Sequence, residues 1–198
     1  MPFYFTQGMV VGRNLLPDLL KTDGATGKAV EVGTHRGDYA ARILDRWDGH
    51  LTCVDVWENL PGYENQAAFL DGNGLDRNKD FEIACSRLMP YGDRVTLLKT
   101  MSVRAALKFP NESLDMVYID GDHSEPAVKS DLAAWWPKVR KGGLLAGHDV
   151  IMPHAKPEEN WGIGIQNAIR HFAGSRGLVC YLVVEDCGPP WSYYFVKE

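Results

Sequence analysis

Apolar positions along the chain keep two alternating rhythms. Ala29 to Val32, His50 to Val54, Val95 to Leu98, Leu114 to Ile119 and Leu144 to Ala146 are short runs rich in apolar and β-branched residues, and such runs predict buried strands. Between them, apolar residues recur at helical spacing. This predicts helices over Asp38 to Trp47, Asp80 to Met89 (stopped by Pro90 and Gly92), Ser102 to Phe109 with Ser102 as its cap, and Ser124 to Val139 with Pro126 in the first turn. Gly142-Gly143 closes the connection after the last of these. A further helix spans Asn160 to Phe172 and closes near Gly174. Val10, Val11, Leu15, Leu16, Leu19 and Leu20 predict a leading helix over Gln7 to Leu20, interrupted by Gly12 and Pro17. The last two strands, Leu178 to Val184 and Trp191 to Val196, have only the short link Glu185 to Pro190 between them, so they should run antiparallel. Strands alternating with helices imply βαβ units and a doubly wound α/β sheet covered on both faces.

Two stretches keep neither rhythm. Trp57 to Asn78 mixes glycines, Pro61, aromatics and amides, with at most a short helix at Glu64 to Leu70. The other, Val150 to Trp161, contains the polar, proline-bearing His154 to Glu159. Irregular pieces of this length inside a compact domain are typically lids or substrate segments, which makes Trp57, Tyr63 and Trp161 candidate substrate contacts.

Composition narrows the class. A chain of 198 residues, 45% hydrophobic and 24% charged, fits one domain with a real core, residues 1–198. A net charge of −5 without long runs gives no basic face for nucleic acid. No apolar run approaches the roughly 20 residues a membrane span needs. The N-terminus carries no leader-like pattern. Cys53, Cys85, Cys180 and Cys187 form no CxxC pair and read as free thiols of a reducing compartment. The expectation is a cytoplasmic protein, with the leading helix as a surface on which a homo-oligomer could pack.

Chemistry concentrates first at Ala29-Val-Glu-Val-Gly-Thr-His-Arg-Gly37, a strand running through a glycine turn into a helix. That layout builds nucleotide sites. A dinucleotide loop would need glycine where His35 stands and again where Asp38 stands. A histidine side chain obstructs a pyrophosphate, and an acid at the helix start repels it. Glu31, an acid inside a buried strand, needs a cationic or hydrogen-bonding partner. Asp55, closing the next strand, is placed for ribose hydroxyls. A nucleoside with a cationic amino-acid tail satisfies both acids, and S-adenosylmethionine is such a molecule.

Glu31 to Gly37, Asp55, Tyr118-Ile-Asp-Gly-Asp-His-Ser124 and Gly142-Gly-Leu-Leu-Ala-Gly-His-Asp149 together resemble the class I S-adenosylmethionine-dependent methyltransferases. Within them the chain is most similar to a small-molecule O-methyltransferase branch that includes macrolide-sugar enzymes. The resemblance, over about Lys28 to Phe172, implies a Rossmann-like sheet of seven strands, mostly parallel with an antiparallel C-terminal hairpin strand. It implies a cofactor site at Glu31, Gly33, Thr34, His35, Gly37, Asp55 and Asp120, with the Thr100-Met101-Ser102 turn against the adenine.

The second concentration is Asp120-Gly-Asp122-His123 with His148-Asp149, at the carboxyl ends of two predicted strands. Carboxylates and imidazoles in one cleft bind a divalent cation or act as acid and base. In related metal-dependent O-methyltransferases, an Asp after the fourth strand and an Asp-Asn pair after the fifth hold the metal. Asp120 and Asp149 match the two aspartates, Val150 stands at the Asn position, and Asp122 or His148 could supply the missing ligand for Mg²⁺ or another divalent cation. His123 stands where those relatives keep a lysine base, and histidine titrates near neutral pH. The expected activity is methyl transfer to a hydroxyl of a small molecule, a sugar or glycosylated metabolite among the candidates, with His123 as base. A metal-dependent hydrolase built on the Asp120, Asp122, His123, His148 and Asp149 cluster is the competing reading, but it leaves Glu31 and Asp55 without a role. A nicotinamide-dependent oxidoreductase is disfavoured by His35, and a relative that binds the cofactor without turnover is the remaining alternative.

Overall fold

The computed structural model describes residues 5–7, 12–20, 25–58, 76–150, 163–184 and 191–198. In chain order the strands are β1 (Phe5–Gln7), β2 (Lys28–Val32), β3 (His50–Asp55), β4 (Val95–Lys99), β5 (Leu114–Ile119), β6 (Val139–Val150), β7 (Cys180–Val183) and β8 (Trp191–Val196). The α-helices are α1 (Asp38–Arg46), α2 (Arg77–Leu88), α3 (Ser102–Ala106), α4 (Glu125–Trp135) and α5 (Ile163–Arg176). The strands form one sheet in the order β1-β7-β8-β6-β5-β2-β3-β4. Every pairing is parallel except those of β8, which runs antiparallel to both β6 and β7. This is the expected seven-stranded arrangement with one addition, the short edge strand β1 beside β7.

All six residues of β5 are buried, as a central strand covered on both faces requires. Alternation along the strands feeds two cores. Val30, Val32, Val117 and Ile119 meet Leu132, Trp135, Ile169 and Phe172 on one face. On the other, Ala29, Met116 and Tyr118 meet Ile43, Leu44, Leu16 and Leu20.

The leading helix is the main departure. Phe5–Gln7 is a strand and Arg13–Leu20 a 3₁₀ helix, while residues 8–11 lie outside the described residues. Gly12 has a φ of 83° and Pro17 lacks the N–H an α-helix would use, so a regular helix cannot run through both. Leu16 and Leu20 are buried inside the chain. Helix α3 is shorter than expected, with Met101 and not Ser102 at its N-cap. Helix α4 gives way to a 3₁₀ turn at Trp136–Lys138. Strand β6 begins well before Leu144, because the Gly142-Gly143 stretch is a bulge within it: pairing with β5 shifts register between Leu114 and Met116. The expected helix at 64–70, the segment at 151–161, Tyr63, Trp161 and Cys187 lie outside the described residues. Cys53, Cys85 and Cys180 are free thiols. Among the described residues, no helix is long and apolar enough to cross a membrane.

At the amino ends of the central strands, the fully buried Asp115 carboxylate accepts hydrogen bonds from the N–H groups of Thr26, Gly27 and Lys28 and from Arg140 Nε. It ties the start of β2 and the bulge of β6 to β5.

Candidate active site

The carboxyl ends of β2, β3, β5 and β6 bring the two predicted halves together. Gly33 N–H donates to Val54 O (2.8 Å), and Asp120 N–H donates to Val32 O (2.8 Å). Gly33 has a φ of +85°, and a Cβ there would lie 2.0 Å from Asp120 O. Its lack of a side chain is therefore required by the chain's own backbone, before any ligand is considered. Gly37, φ +79°, precedes α1, and a Cβ on it would press on Leu88 at 3.1 Å.

Glu31 is 2% exposed, and its Oε2 has no hydrogen-bond partner. Burial, reinforced by the charges of Asp120 and Asp55, pushes its carboxyl up to about 8. Thr34 is buried at the same turn. Asp55 Oδ2 accepts from His35 N–H (2.8 Å) and its Oδ1 from Trp57 N–H (3.0 Å). These bonds fix the carboxylate at the end of β3 and leave lone pairs on both oxygens. The His35 ring turns away from this cluster, with Nε2 3.4 Å from Asp80 Oδ2. Asp80, buried on α2, also accepts from Arg36 Nε (2.7 Å). Trp57 is fully buried and donates through Nε1 to His35 O (2.7 Å), so it locks the glycine turn rather than facing a substrate. Ser102 Oγ accepts from Trp135 Nε1 (2.9 Å), while Met101 before it is exposed.

In the second half, Asp149 has a φ of 65°, at an irregularity where the β6–β8 register shifts between Gly147 and Val150. A residue displaced from a regular ladder is re-aimed, and the Asp149 carboxylate is turned onto two histidines. His123 Nε2 lies 3.0 Å from Asp149 Oδ2 and 3.9 Å from Asp120 Oδ1. His148 Nδ1 lies 2.8 Å from Asp149 Oδ1. Burial works against a charge on His123, but the two carboxylates outweigh it and raise the imidazole to about 10. Burial likewise opposes the Asp149 charge, yet His123 and His148 hold its carboxyl well below the usual range. Against the expectation of a histidine titrating near neutrality, the paired carboxylates favour the protonated form of His123.

Ligand atoms of Asp120, His123 and Asp149 all lie within 4.8 Å of one another. Two carboxylates and one imidazole at this spacing fit a divalent cation, with the nitrogen favouring a transition metal over Mg²⁺. His123 offers the third donor atom of this group. Asp122 Oδ1 accepts from Ser124 N–H (2.8 Å), and His148 stands behind Asp149 as the group that orients it. Val150 is fully buried opposite Trp191, so it offers nothing to the cluster. A small cleft opens here, lined by Ile119, Asp120, His123, His148, Ile165 and Tyr193 among others.

Sequence reasoning missed Arg13, whose Nη1 is 3.7 Å from Asp120 Oδ2, and Asp80. Neither carries a motif signal, because each reaches the site through tertiary packing.

A family model described as a methyltransferase domain matches residues 30–150. No curated protein matches the sequence. Among solved structures, a protein from Corynebacterium glutamicum is similar at 18% identity, covering 93% of this chain and 79% of that one, with a TM-score of 0.66. The O-methyltransferase TomG from Streptomyces achromogenes, involved in tomaymycin synthesis and solved in complex with SAM, is 17% identical, with coverage of 93% and 78% and a TM-score of 0.63. An O-methyltransferase from Bacillus cereus in complex with SAH is 16% identical, with coverage of 94% and 82% and a TM-score of 0.62. The matched domain spans both halves of the site, from β2 to the end of β6, and the chain belongs to the methyltransferase-domain family.

Proposed function

We propose that this protein is an S-adenosylmethionine-dependent O-methyltransferase acting on a hydroxyl of a small molecule. The observation that carries the reading is the pairing of unlike halves across the Gly33–Asp120 contact. On one side lies a buried acid with an unsatisfied oxygen, which a cationic ligand would neutralise. On the other lies a cluster of carboxylates and histidines suited to handling a hydroxyl proton. The O-methyltransferases solved with SAM and SAH share the fold and are consistent with this assignment. A hydrolase reading finds no support in the family match.

When bound, S-adenosylmethionine supplies an electrophilic methyl group, transferred as the acceptor C–O bond forms and the C–S bond breaks with its electron pair left on sulfur. Glu31 receives the cationic end, Asp55 the ribose hydroxyls, and the exposed Met101 offers an apolar surface for the base. Holding the acceptor oxygen in line is the chain's main contribution, for which orientation supplies roughly 7–11 kcal/mol. His123, once neutral, takes the hydroxyl proton through Nε2. Asp149 stabilises the resulting imidazolium, and His148 fixes the Asp149 carboxylate. Where a divalent cation is bound instead, Asp120, His123 and Asp149 would hold it, and the cation would lower the acceptor's pKa in place of His123 acting as base.

Calorimetric titration with S-adenosylhomocysteine, NAD and buffer alone, followed by a methyl-transfer assay over a panel of hydroxylated acceptors, tests the reading. Binding of S-adenosylhomocysteine with turnover of at least one acceptor is expected. Binding of NAD without S-adenosylhomocysteine would overturn it.

A further inference from the structure

The N-terminal 3₁₀ helix lies outside the βαβ frame, yet it brings a cation to the cofactor half of the site. Arg13 opens this helix, with its guanidinium 3.7 Å from Asp120 and 5.0 Å from the centre of the Tyr39 ring. The Tyr39 hydroxyl donates to Arg13 O (2.8 Å), and Leu16 and Leu20 are buried in the same core as α1. The position of Arg13 over the first turn of α1 is therefore fixed by packing and by the aromatic ring. Strand alternation puts Glu31 on the face of β2 that carries Ala29, which is the face this helix and α1 cover. The Arg13 charge acts on Glu31, but Glu31 Oε2 has no hydrogen-bond partner, guanidinium included. A guanidinium anchored by Asp120 and the Tyr118 hydroxyl and a buried, unsatisfied acid lie on one face without closing onto each other, and they match the two opposite charges of an α-amino acid.

We propose that Arg13 binds the carboxylate of the methionine end of the cofactor while Glu31 binds its ammonium, so that the N-terminal helix is a cofactor-recognition element. The inference rests on the S-adenosylmethionine reading above and assigns its amino-acid end. A guanidinium fork suits a carboxylate. The protein should then discriminate strongly against adenosyl thioethers that keep the amine and lack the carboxylate.

Calorimetry with S-adenosylhomocysteine and its decarboxylated analogue tests this. The native protein should prefer S-adenosylhomocysteine by about 10- to 100-fold, the worth of one charge-assisted pair. Arg13→Gln should lose that factor for S-adenosylhomocysteine, bind the decarboxylated analogue within about twofold of the native protein, and be partly rescued in Arg13→Lys, with effects far below one charge-assisted pair counting as unchanged. Equal affinity of the native protein for both ligands would overturn the assignment, even if the variants fail to fold. An equal loss for both ligands in Arg13→Gln would also overturn it, as a structural role for Arg13 predicts. Failure of the native protein to bind either ligand would refute the cofactor reading itself, and the inference with it.

Discussion

Three glycines share a left-handed backbone and differ in what a side chain would meet, which makes them a graded test of the site's geometry. Gly27, Gly37 and Gly33 have φ values of +70°, +79° and +85°. Alanine at any of them takes on the left-handed strain of an L-residue, roughly 1–2 kcal/mol. At Gly27 nothing lies within 4 Å of the new Cβ, so strain is the whole effect. At Gly37 the Cβ meets Leu88 Cδ1 at 3.1 Å, the movable end of a side chain. At Gly33 it meets the Asp120 carbonyl at 2.0 Å, and backbone cannot turn aside. Relief there requires moving the loop after β5, which adds about 1–3 kcal/mol of overpacking. Each kcal/mol shifts Tm by about 2–4 °C in a chain of this size. Gly27→Ala should therefore lower Tm by about 2–8 °C, Gly37→Ala by somewhat more, and Gly33→Ala by about 4–20 °C. Only Gly33→Ala should also weaken S-adenosylhomocysteine binding, because it displaces Asp120. Differential scanning calorimetry and ligand titration read both effects. Equal losses at the three positions, or a Gly33→Ala protein with native affinity, would refute the welded Gly33–Asp120 contact.

The site makes further predictions. Folded Glu31 holds its proton up to about 8 against an ordinary 4.5, so the native state binds a proton that the unfolded chain releases between those values. Stability should fall as pH rises across that window, and Glu31→Gln should flatten the decline; parallel curves in chemical denaturation would refute the buried-acid account. His123 must lose its proton before accepting another, so kcat/KM should climb about tenfold per pH unit below about 10, and His123→Ala should lose about 10²–10⁴-fold. A flat profile near neutrality would remove His123 as the base. If the cluster holds a metal in place of the His123 proton, chelation should reduce turnover and Mn²⁺ should restore it better than Mg²⁺ given the imidazole donor; undiminished activity in the chelated protein would leave Asp120, His123 and Asp149 to the base mechanism alone.

The parts of this molecule legible from sequence are those set by local backbone demands. The Gly33 and Gly37 turn, the acid closing β3 and the paired motifs after β5 and β6 were all visible, because glycine conformations and strand ends leave short-range marks. The antiparallel C-terminal pair was legible for the same reason. Other features depend on contacts distant in sequence. Arg13 sits in a stretch whose apolar spacing reads as an α-helix, and only the fold shows that Gly12 and Pro17 divert it toward Asp120. His123 looks like an ordinary near-neutral histidine until the β6 irregularity delivers Asp149 to it. Trp57 looks like a substrate contact in an irregular stretch and is instead a fully buried clasp on His35, since its partner is a backbone carbonyl that no pattern reveals. Val150 is buried away from the cluster, and the ligand atom that converges with those of Asp120 and Asp149 comes from His123, a residue whose placement depends on the fold and leaves no mark in the motif.

The Asp115 knot has a consequence for how such a protein can change. Four donors from two chain segments converge on one carboxylate at the end of the sheet remote from the cleft. Removing a charge buried this way typically costs about 3–5 kcal/mol, a large share of a domain's margin. Mutational tolerance should therefore be polarised along the strands. A saturation library will lose variants at Asp115 and Arg140 to misfolding, whereas the rim of the cleft is free to drift without endangering the scaffold. New acceptor preferences can be selected at one end of the sheet because heritable stability is stored at the other.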